Sequence, residues 1–279
     1  MSSESNVYGD YVPSKPAAII GAIVFLILTL LQLWRIITQR KWFGLAIVTG
    51  GLFEVIGLAA RAYSRDHLSE TTPYIIQILL ILLAPILFAA SIYMFLGRLI
   101  YASGHPHLSF IRINWLTKIF VIGDVFCFFV QAAGAAKLVN AETSSDIDAA
   151  QNIVLGGLGL QVAVFCVFAL CAVVFHVRVS APRFRNLVPP GLHLHAMLFS
   201  LYASSLLITV RNAYRLVEYT QGNDGYLTTH EWPTYGLDII LMAIIMVITL
   251  FWYSAVLNQK VDRETAYPLV YQELGAGRS

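Results

Sequence analysis

Apolar residues fill seven long stretches of the chain, and each stretch is about as long as a helix that crosses a bilayer. About 20 residues are needed, because an α-helix rises about 1.5 Å per residue and the hydrocarbon core is about 30 Å thick. In lipid only helices and closed barrels satisfy their backbone groups, and unbroken apolar runs differ from the alternating pattern of barrel strands. We therefore predict an all-α integral membrane protein whose seven helices form a bundle. The predicted spans are 16–37, 44–62, 73–100, 117–138, 153–175, 193–214 and 233–257.

The composition is that of a membrane protein rather than a soluble domain. Hydrophobic residues make up 58% of the 279 residues, charged residues make up 12%, and the mean hydropathy is +0.70. We predict an extracellular leader at 1–15, a seven-helix transmembrane domain at 16–257 and a cytoplasmic tail at 258–279. The leader has no basic region, so we expect the first span to be retained rather than cleaved as a signal peptide. Neither end is expected to carry a soluble catalytic or nucleic-acid-binding domain.

Basic residues predict which ends of the helices face the cytoplasm, since Lys and Arg in short loops stay on that side. Twelve of the 18 basic residues lie in or beside the loops after the first, third and fifth spans, or in the tail. The other six lie at the opposite ends of the spans, where the loops also carry acidic residues. The N-terminus is therefore expected outside and the C-terminus inside. The net charge of +2 follows from this topology and does not predict a nucleic-acid partner.

Three carboxylates fall inside predicted spans, and two of them lie deeper than Asp238: Glu54 near the middle of the second and Asp124 toward the inner end of the fourth. An ionised carboxylate at mid-membrane costs about 2.5–3.5 kcal/mol, so each must be paired, protonated or in contact with a wet cavity. One interpretation assigns both acids to the lining of a polar substrate cavity. The other treats each as a structural side chain with a satisfied hydrogen bond.

Three glutamines lie on small and polar seams of the third, fourth and fifth spans, namely Gln77, Gln131 and Gln161. Such seams are typical of close helix packing in which side chains hydrogen-bond between helices. The same residues also fit the lining of the cavity that the two acids predict. Both interpretations, packing and substrate cavity, stay open for these glutamines.

An outer charge cluster is predicted from Arg61, Arg211 and Asp238, which lie near the outer ends of their spans. They are opposite charges at similar depth, and an unpaired charge inside a membrane is costly. We therefore predict that Asp238 pairs with Arg211 or with Arg61. With Glu54 near the middle and Asp124 nearer the inner face, polar residues then extend through the bundle, as in a translocation route or a receptor pocket.

A short internal similarity links the ends of the second and sixth spans. AARAYSR at 59–65 and TVRNAYR at 209–215 both contain Arg-x-x-x-Arg, and each precedes a span that begins with proline. Helices one to three and five to seven would then be parallel repeats around a fourth linker helix, an arrangement found among transporters. Matches of this length also arise by chance, so a 3+1+3 repeat is one of two interpretations.

Five motifs follow one another along the chain. They are GLFEVIGLAAR at 51–61, QILLILLAPILFAASIYMFLGRLI at 77–100, FVIGDVFCFFVQAAGA at 120–135, GGLGLQ at 156–161 and RNAYRLVEYTQGNDGYLTTHEWPTYGLD at 211–238. Together they resemble a fungal family of seven-helix lipid-translocating exporters, and the resemblance extends from about Tyr11 to Leu257. Founding members of that family are linked to aminocholesterol resistance and to sphingoid long-chain-base export.

The resemblance implies a transporter or translocase of amphipathic lipid-like molecules, such as sphingoid long-chain bases and sterol-like or cationic amphiphiles. It implies a location in the plasma membrane or an endomembrane, and a role in lipid homeostasis and resistance to toxicants. We expect no cofactor, since the chain has no G-x-x-x-x-G-K-[ST] phosphate loop and no nucleotide domain. Active transport would then depend on a proton gradient or on the gradient of the substrate itself.

Two other classes of protein stay open. A receptor or lipid sensor shares the topology, although the third span ends in GRLI at 97–100 and the seventh lacks Asn-Pro-x-x-Tyr. A metal-dependent intramembrane lipid hydrolase would need several histidines and an aspartate at one depth. His176, His193 and His195 fall near the depth of Asp124, but His193 and His195 are two residues apart and face different directions on a helix. We therefore predict no catalytic residue and no metal site.

The three cysteines, Cys127, Cys166 and Cys171, lie inside predicted spans and predict neither a disulfide nor a metal site. In the tail, Tyr267 and Tyr271 each precede an apolar residue by three positions, which is the pattern of an endocytic sorting signal. An endocytic adaptor is then a predicted partner, beside the lipid substrate and the membrane. An unstructured tail is the alternative.

Overall fold

Seven long helices dominate the computed structural model, which describes residues 14–40, 42–67, 70–139, 143–181, 193–221 and 226–253. Each of these helices is long and apolar enough to cross a membrane, so the predicted all-α seven-helix bundle is confirmed. Short helical turns at Trp42–Gly44, Pro106–Leu108 and Tyr226–Thr229 lie between them. The long helices are α1 (Lys15–Gln39), α2 (Leu45–Ser64), α3 (Thr71–Ala102), α4 (Ile113–Val139), α5 (Ser144–Val179), α6 (Leu194–Gln221) and α7 (Thr234–Trp252).

Two helices extend well beyond the apolar runs that predicted them. α5 begins at Ser144, more than two turns before its predicted span, and the Thr143 side chain caps it by accepting the backbone N–H of Asp146 at 3.2 Å. α6 continues to Gln221, about two turns past its predicted end. Hydropathy marks only the part of a helix that matches lipid, whereas capped polar turns continue the helix beyond it.

Several sequence predictions concern residues outside the described ranges. These include nearly all of the leader, the tail with Tyr267 and Tyr271, and the last residues of the predicted seventh span. The orientation of the bundle in the membrane and the 3+1+3 repeat also stay predictions.

α3 is the central helix of the bundle. Helices adjacent in sequence contact each other, and α7 closes the arrangement against α1. α3 contacts α2, α4, α5 and α6, and 61% of its span is buried, the largest share among the seven. The side chains of Phe88, Tyr93 and Phe95 are fully buried there, whereas Phe199 and Phe251 are exposed. Since lipid provides no hydrophobic force between helices, close packing and interhelical hydrogen bonds must hold this bundle together.

Glycines bring α4 and α5 into close contact. A Cβ atom at Gly134 of α4 would lie 2.7 Å from the Val154 side chain and 3.1 Å from the Ala150 carbonyl oxygen of α5. At Gly157 of α5, a Cβ atom would lie 2.7 Å from the side chain of Gln131. Small residues allow membrane helices to approach in this way. The two glycines therefore set the distance between α4 and α5.

Replacing Gly134 by Ala is expected to lower the midpoint of thermal unfolding in detergent, because the added methyl group meets the backbone of α5. Overpacking of this kind costs about 1–3 kcal/mol. Gly159→Ala is the matched control, since nothing lies within 4 Å of a Cβ atom there and Ala favours a helix. The midpoint of the control is expected to stay unchanged or to rise slightly. Equal losses in the two variants would contradict the close contact between the helices.

Candidate polar site inside the bundle

A buried ion pair joins α6 and α7. Arg211 Nε lies 2.6 Å from Asp238 Oδ1, and both side chains are only 1% exposed. Arg211 also donates a hydrogen bond to the carbonyl oxygen of Ile81 on α3, at 3.2 Å. The predicted pairing of Asp238 with Arg211 is confirmed, and the pair connects three helices.

Arg215 supplies a second guanidinium to the same carboxylate. It lies one turn after Arg211 on α6, donates to the other oxygen of Asp238, and donates to Glu218 at 2.9 Å. Hydropathy alone places Arg215 just past the sixth span, so sequence reasoning misses this contact. The spacing of four residues from Arg211 was the available signal, because residues i and i+4 share a helix face.

Arg61 of α2 pairs with Glu231, which precedes α7. Arg61 Nη2 lies 3.3 Å from Glu231 Oε1, and the same oxygen accepts the backbone N–H of Ser14 at 2.8 Å. Nearby, Lys15 at the start of α1 donates to Asp66 after α2, and this hydrogen bond lowers the pKa of the Asp66 carboxyl. Polar contacts thus connect α1, α2 and α7 at this end of the bundle.

A π-helical turn helps to position Asp238. Residues Thr234–Ile239 form this wide turn directly after Pro233, and α7 continues as an α-helix from Ile240. A π turn contains more residues than an α turn, so it changes the direction of the side chains, and such turns are frequent at functional sites. The local geometry of α7 therefore contributes to the alignment of Asp238 with Arg211.

Glu54 of α2 is a buried acid with an unpartnered oxygen. The residue is 1% exposed, and its Oε2 has no hydrogen-bond partner among the described residues. It lies within electrostatic range of Asp238, Arg211 and Arg215. The acid predicted near the middle of the membrane therefore belongs with the charges of α6 and α7.

Acids outnumber arginines by one in the group of charged side chains around Asp238 and Glu231. We define the charge cluster as four acids and three arginines, which are Glu54, Glu218, Glu231, Asp238, Arg61, Arg211 and Arg215. One negative charge is in excess when all seven are ionised. Glu54 makes no salt bridge within the described part of the chain. A buried carboxylate in this position either holds a proton or binds a cation.

Asp124 of α4 contacts α3 rather than the charge cluster. The Tyr93 hydroxyl donates to Asp124 Oδ2 at 2.7 Å, while Oδ1 has no hydrogen-bond partner in the described ranges. The rings of Phe120 and Phe168 pack against Tyr93, with centroid distances of 5.5 and 4.4 Å. Sequence reasoning misses Tyr93, although a tyrosine deep in an apolar span needs a partner for its hydroxyl.

Gln131 and Gln161 contact each other between α4 and α5. Nε2 of Gln131 donates to Oε1 of Gln161 at 2.8 Å, and both side chains are buried. This hydrogen bond is the kind of contact that the packing interpretation expects. Gln77 of α3 is also buried, one turn before Ile81, whose side chain would lie 2.7 Å from a Cβ atom at Gly57 of α2. The cavity role of these glutamines stays a prediction.

The histidines of α5 and α6 form a contact of their own. His176 and His195 face each other, and His193 is exposed just before α6. Within the described ranges, no group of three or more His, Cys, Asp or Glu side chains is arranged to hold a metal ion. The free cysteines are Cys127, Cys166 and Cys171.

The chain matches a known protein family along most of its length. The family model described as RTA1 like protein matches residues 47–260, a range that contains every residue of the charge cluster and also Asp124. The chain belongs to the RTA1-like family. The resemblance to fungal lipid-translocating exporters, inferred from the five motifs, is thereby confirmed.

Three relatives of this RTA1-like protein come from Saccharomyces cerevisiae, and two of them are named for uptake or transport. Protein RTM1 is 34% identical over 78% of this chain and 71% of its own length. Protoporphyrin uptake protein 1 is 30% identical over 85% of this chain and 88% of its own length. Sphingoid long-chain base transporter RSB1 is 26% identical over 90% and 74%. No solved structure matches the chain.

Lipid-related membrane transport therefore occurs in the RTA1-like family, and this member is an integral membrane protein with seven helices. Three of the groups that its buried polar side chains form belong to the candidate site. These groups are the charge cluster, the Asp124–Tyr93 contact and the Gln131–Gln161 contact.

Proposed function

We propose that this RTA1-like protein moves amphipathic lipid-like molecules with a cationic head group across the membrane, with sphingoid long-chain bases as the main substrate class. The supporting observation is Glu54, a buried carboxylate with an unpartnered oxygen in a cluster of four acids and three arginines. A protonated amine would supply the missing positive charge. Sterol-like amphiphiles that carry an amine meet the same requirement.

Charge neutralisation would give the site its selectivity. An ionised carboxylate without a partner is costly in a low-dielectric interior, and so is a bare ammonium group. Each offsets the desolvation of the other when an amine binds at Glu54. A neutral head group gains no such compensation, and an anionic one meets the excess negative charge of the cluster.

Asp124 would be the second carboxylate on the route. Its Oδ1 is buried without a hydrogen-bond partner in the described part of the chain, and Tyr93 holds its other oxygen. A cation that leaves Glu54 would meet Asp124 next, while its hydrocarbon tail stays against the apolar helix faces. The neutral polar residues that we assign to this route are Gln77, Gln131 and Gln161.

The proposal includes the topology that the basic residues predict, with the N-terminus outside and the C-terminus inside. We place the protein mainly in the plasma membrane and assign it no catalytic step. The relative named a sphingoid long-chain base transporter supports the substrate class. The relative named a protoporphyrin uptake protein supports the movement of an amphiphile, although protoporphyrin carries carboxylates rather than an amine.

Reconstitution of the purified full-length protein in liposomes tests the proposal. A fluorescent long-chain base, a fluorescent phospholipid analogue and protoporphyrin are compared, each with and without an imposed proton gradient. We expect the long-chain base to cross the bilayer faster than in protein-free liposomes, and the phospholipid analogue to show no such acceleration. An effect of the proton gradient on this rate would identify the energy source.

Three results would contradict the proposal. Binding of the long-chain base without movement would indicate a receptor or lipid sensor. Cleavage of a lipid would indicate a hydrolase. Movement of protoporphyrin without movement of the long-chain base would indicate that the arginines, rather than Glu54, select the substrate.

A further inference from the structure

Two histidines face each other at the end of the bundle opposite the charge cluster. His176 lies in the last turn of α5 and His195 in the first turn of α6. His176 Nε2 lies 3.3 Å from His195 Nδ1, which is longer than a typical N–H hydrogen bond of about 2.7–3.2 Å. His195 is exposed and His176 is half-buried, so ions in water can reach the pair. The proposed transport uses neither side chain.

Tyr202 of α6 fixes the orientation of the His176 ring. Its hydroxyl donates to the carbonyl oxygen of Ala172 at 3.2 Å, which leaves the hydroxyl oxygen able to accept from His176 Nδ1, also at 3.2 Å, in the tautomer that carries its proton there. With its proton on Nδ1, His176 directs the lone pair of Nε2 toward His195. Metal-binding histidines are usually held in this way, by a hydrogen bond to the ring nitrogen that does not bind the metal.

We propose that His176 and His195 form a zinc-binding site that connects α5 and α6. Imidazole nitrogens bind Zn²⁺ at about 2.0–2.1 Å, in tetrahedral geometry. Two such bonds at the tetrahedral angle place the nitrogens about 3.3–3.4 Å apart. The distance of 3.3 Å between His176 Nε2 and His195 Nδ1 matches this separation.

Water would complete the coordination of the ion. Within the described residues, no third His, Cys, Asp or Glu side chain joins the pair as a ligand group. The exposed ring of His195 leaves room for solvent ligands, and its single proton moves to Nε2 when Nδ1 binds the metal. A two-histidine site of this kind binds reversibly, and the bound ion would restrain the end of α5 against the start of α6.

Zinc titration of the purified full-length protein, without a polyhistidine tag, tests this site. We expect Zn²⁺ to raise the midpoint of thermal unfolding of the wild type, since a ligand that binds only the folded state stabilises it. His195→Gln is expected to lose this rise. Tyr202→Phe is expected to keep it but to weaken zinc affinity about 10–100-fold, because the orienting hydrogen bond is lost.

His193→Gln is the matched control, because this exposed histidine lies two residues before His195 and outside the pair. It is expected to keep the zinc response of the wild type. His195→Cys supplies a different zinc ligand at the same position and is expected to recover the response, which separates loss of a ligand from damage to the fold. Co²⁺ serves as a second probe, since it replaces Zn²⁺ in tetrahedral sites and absorbs visible light there.

Two results would overturn the assignment. An undiminished zinc response in His195→Gln would show that the ion binds elsewhere. A loss in His193→Gln as large as the loss in His195→Gln would show that the face-to-face pair is not the site.

Discussion

Replacing Asp238 by Asn is expected to lower the free energy of unfolding by about 3–5 kcal/mol, because it removes the ionised partner of the buried Arg211 guanidinium and of the partly buried Arg215 guanidinium. Arg211 and Arg215 bind opposite oxygens of this carboxylate, and the Arg211–Asp238 pair is almost fully shielded from solvent. Asn has a similar size, so the loss reflects charge rather than volume. Denaturant-induced unfolding of the purified protein measures the effect, and lower expression should accompany it.

A double-mutant cycle with Arg211→Gln isolates the pair itself. Removing both members eliminates one positive and one negative charge together, so the combined loss should fall short of the sum of the single losses by more than about 0.5 kcal/mol. Glu231→Gln is the matched control, because this carboxylate is 21% exposed and lies 3.3 Å from Arg61. Its expected cost is about 1 kcal/mol or less. Strictly additive losses for Asp238 and Arg211 would reject the coupling.

The ion pair of Asp238 shows which contacts charge and hydropathy can predict. Asp238 and Arg211 carry opposite charges at the same depth, and each alone is costly in lipid, so their pairing follows from the sequence. The contact of Arg215 with Asp238 does not follow in the same way, because hydropathy alone places Arg215 just past the end of the sixth span. α6 continues to Gln221, which brings Arg215 into the bundle.

The surroundings of Glu54 depend on how the helices are arranged around α3. Periodicity indicates which face of a helix is buried, but it does not identify the helix that covers this face. The electrostatic interaction of Glu54 with Arg211 and Asp238 requires α2, α6 and α7 to be near each other. It also depends on the π turn at Thr234–Ile239, which an α-helical period does not predict. The Tyr93–Asp124 hydrogen bond joins two helices adjacent in sequence, so it depends only on which faces of α3 and α4 meet.

The Gln131–Gln161 contact depends on the register between two helices. The motif GGLGLQ contains three glycines, and the sequence alone does not identify which of them touches α4. A Cβ atom at Gly157 would meet Gln131, whereas Gly156 and Gly159 face open space. The hydrogen bond between the two glutamines follows from that one close approach.

Glu54→Gln is expected to abolish most transport of cationic amphiphiles while the fold stays intact. Gln has nearly the same size and hydrogen-bonding capacity, but it lacks the negative charge that would bind an amine. A hydrogen bond to a charged group contributes about 1.5–3 kcal/mol, so transport should fall about ten- to hundred-fold. Stability should not fall with it, because the variant removes the excess negative charge from the four acids and three arginines of the cluster.

Asp124→Asn is the matched comparison for this variant. Its loss is expected to be milder, since Tyr93 can still hydrogen-bond to the amide oxygen and the site is predicted to lie nearer water. Transport in liposomes, survival of fungal cells exposed to a long-chain base, and the amount of protein at the membrane are measured together. If both acids only hold helices together, Glu54→Gln lowers the amount of protein rather than its selectivity. A Glu54→Gln protein at normal abundance that fully protects cells would falsify the role of Glu54 and direct the search for the cation site to Asp124.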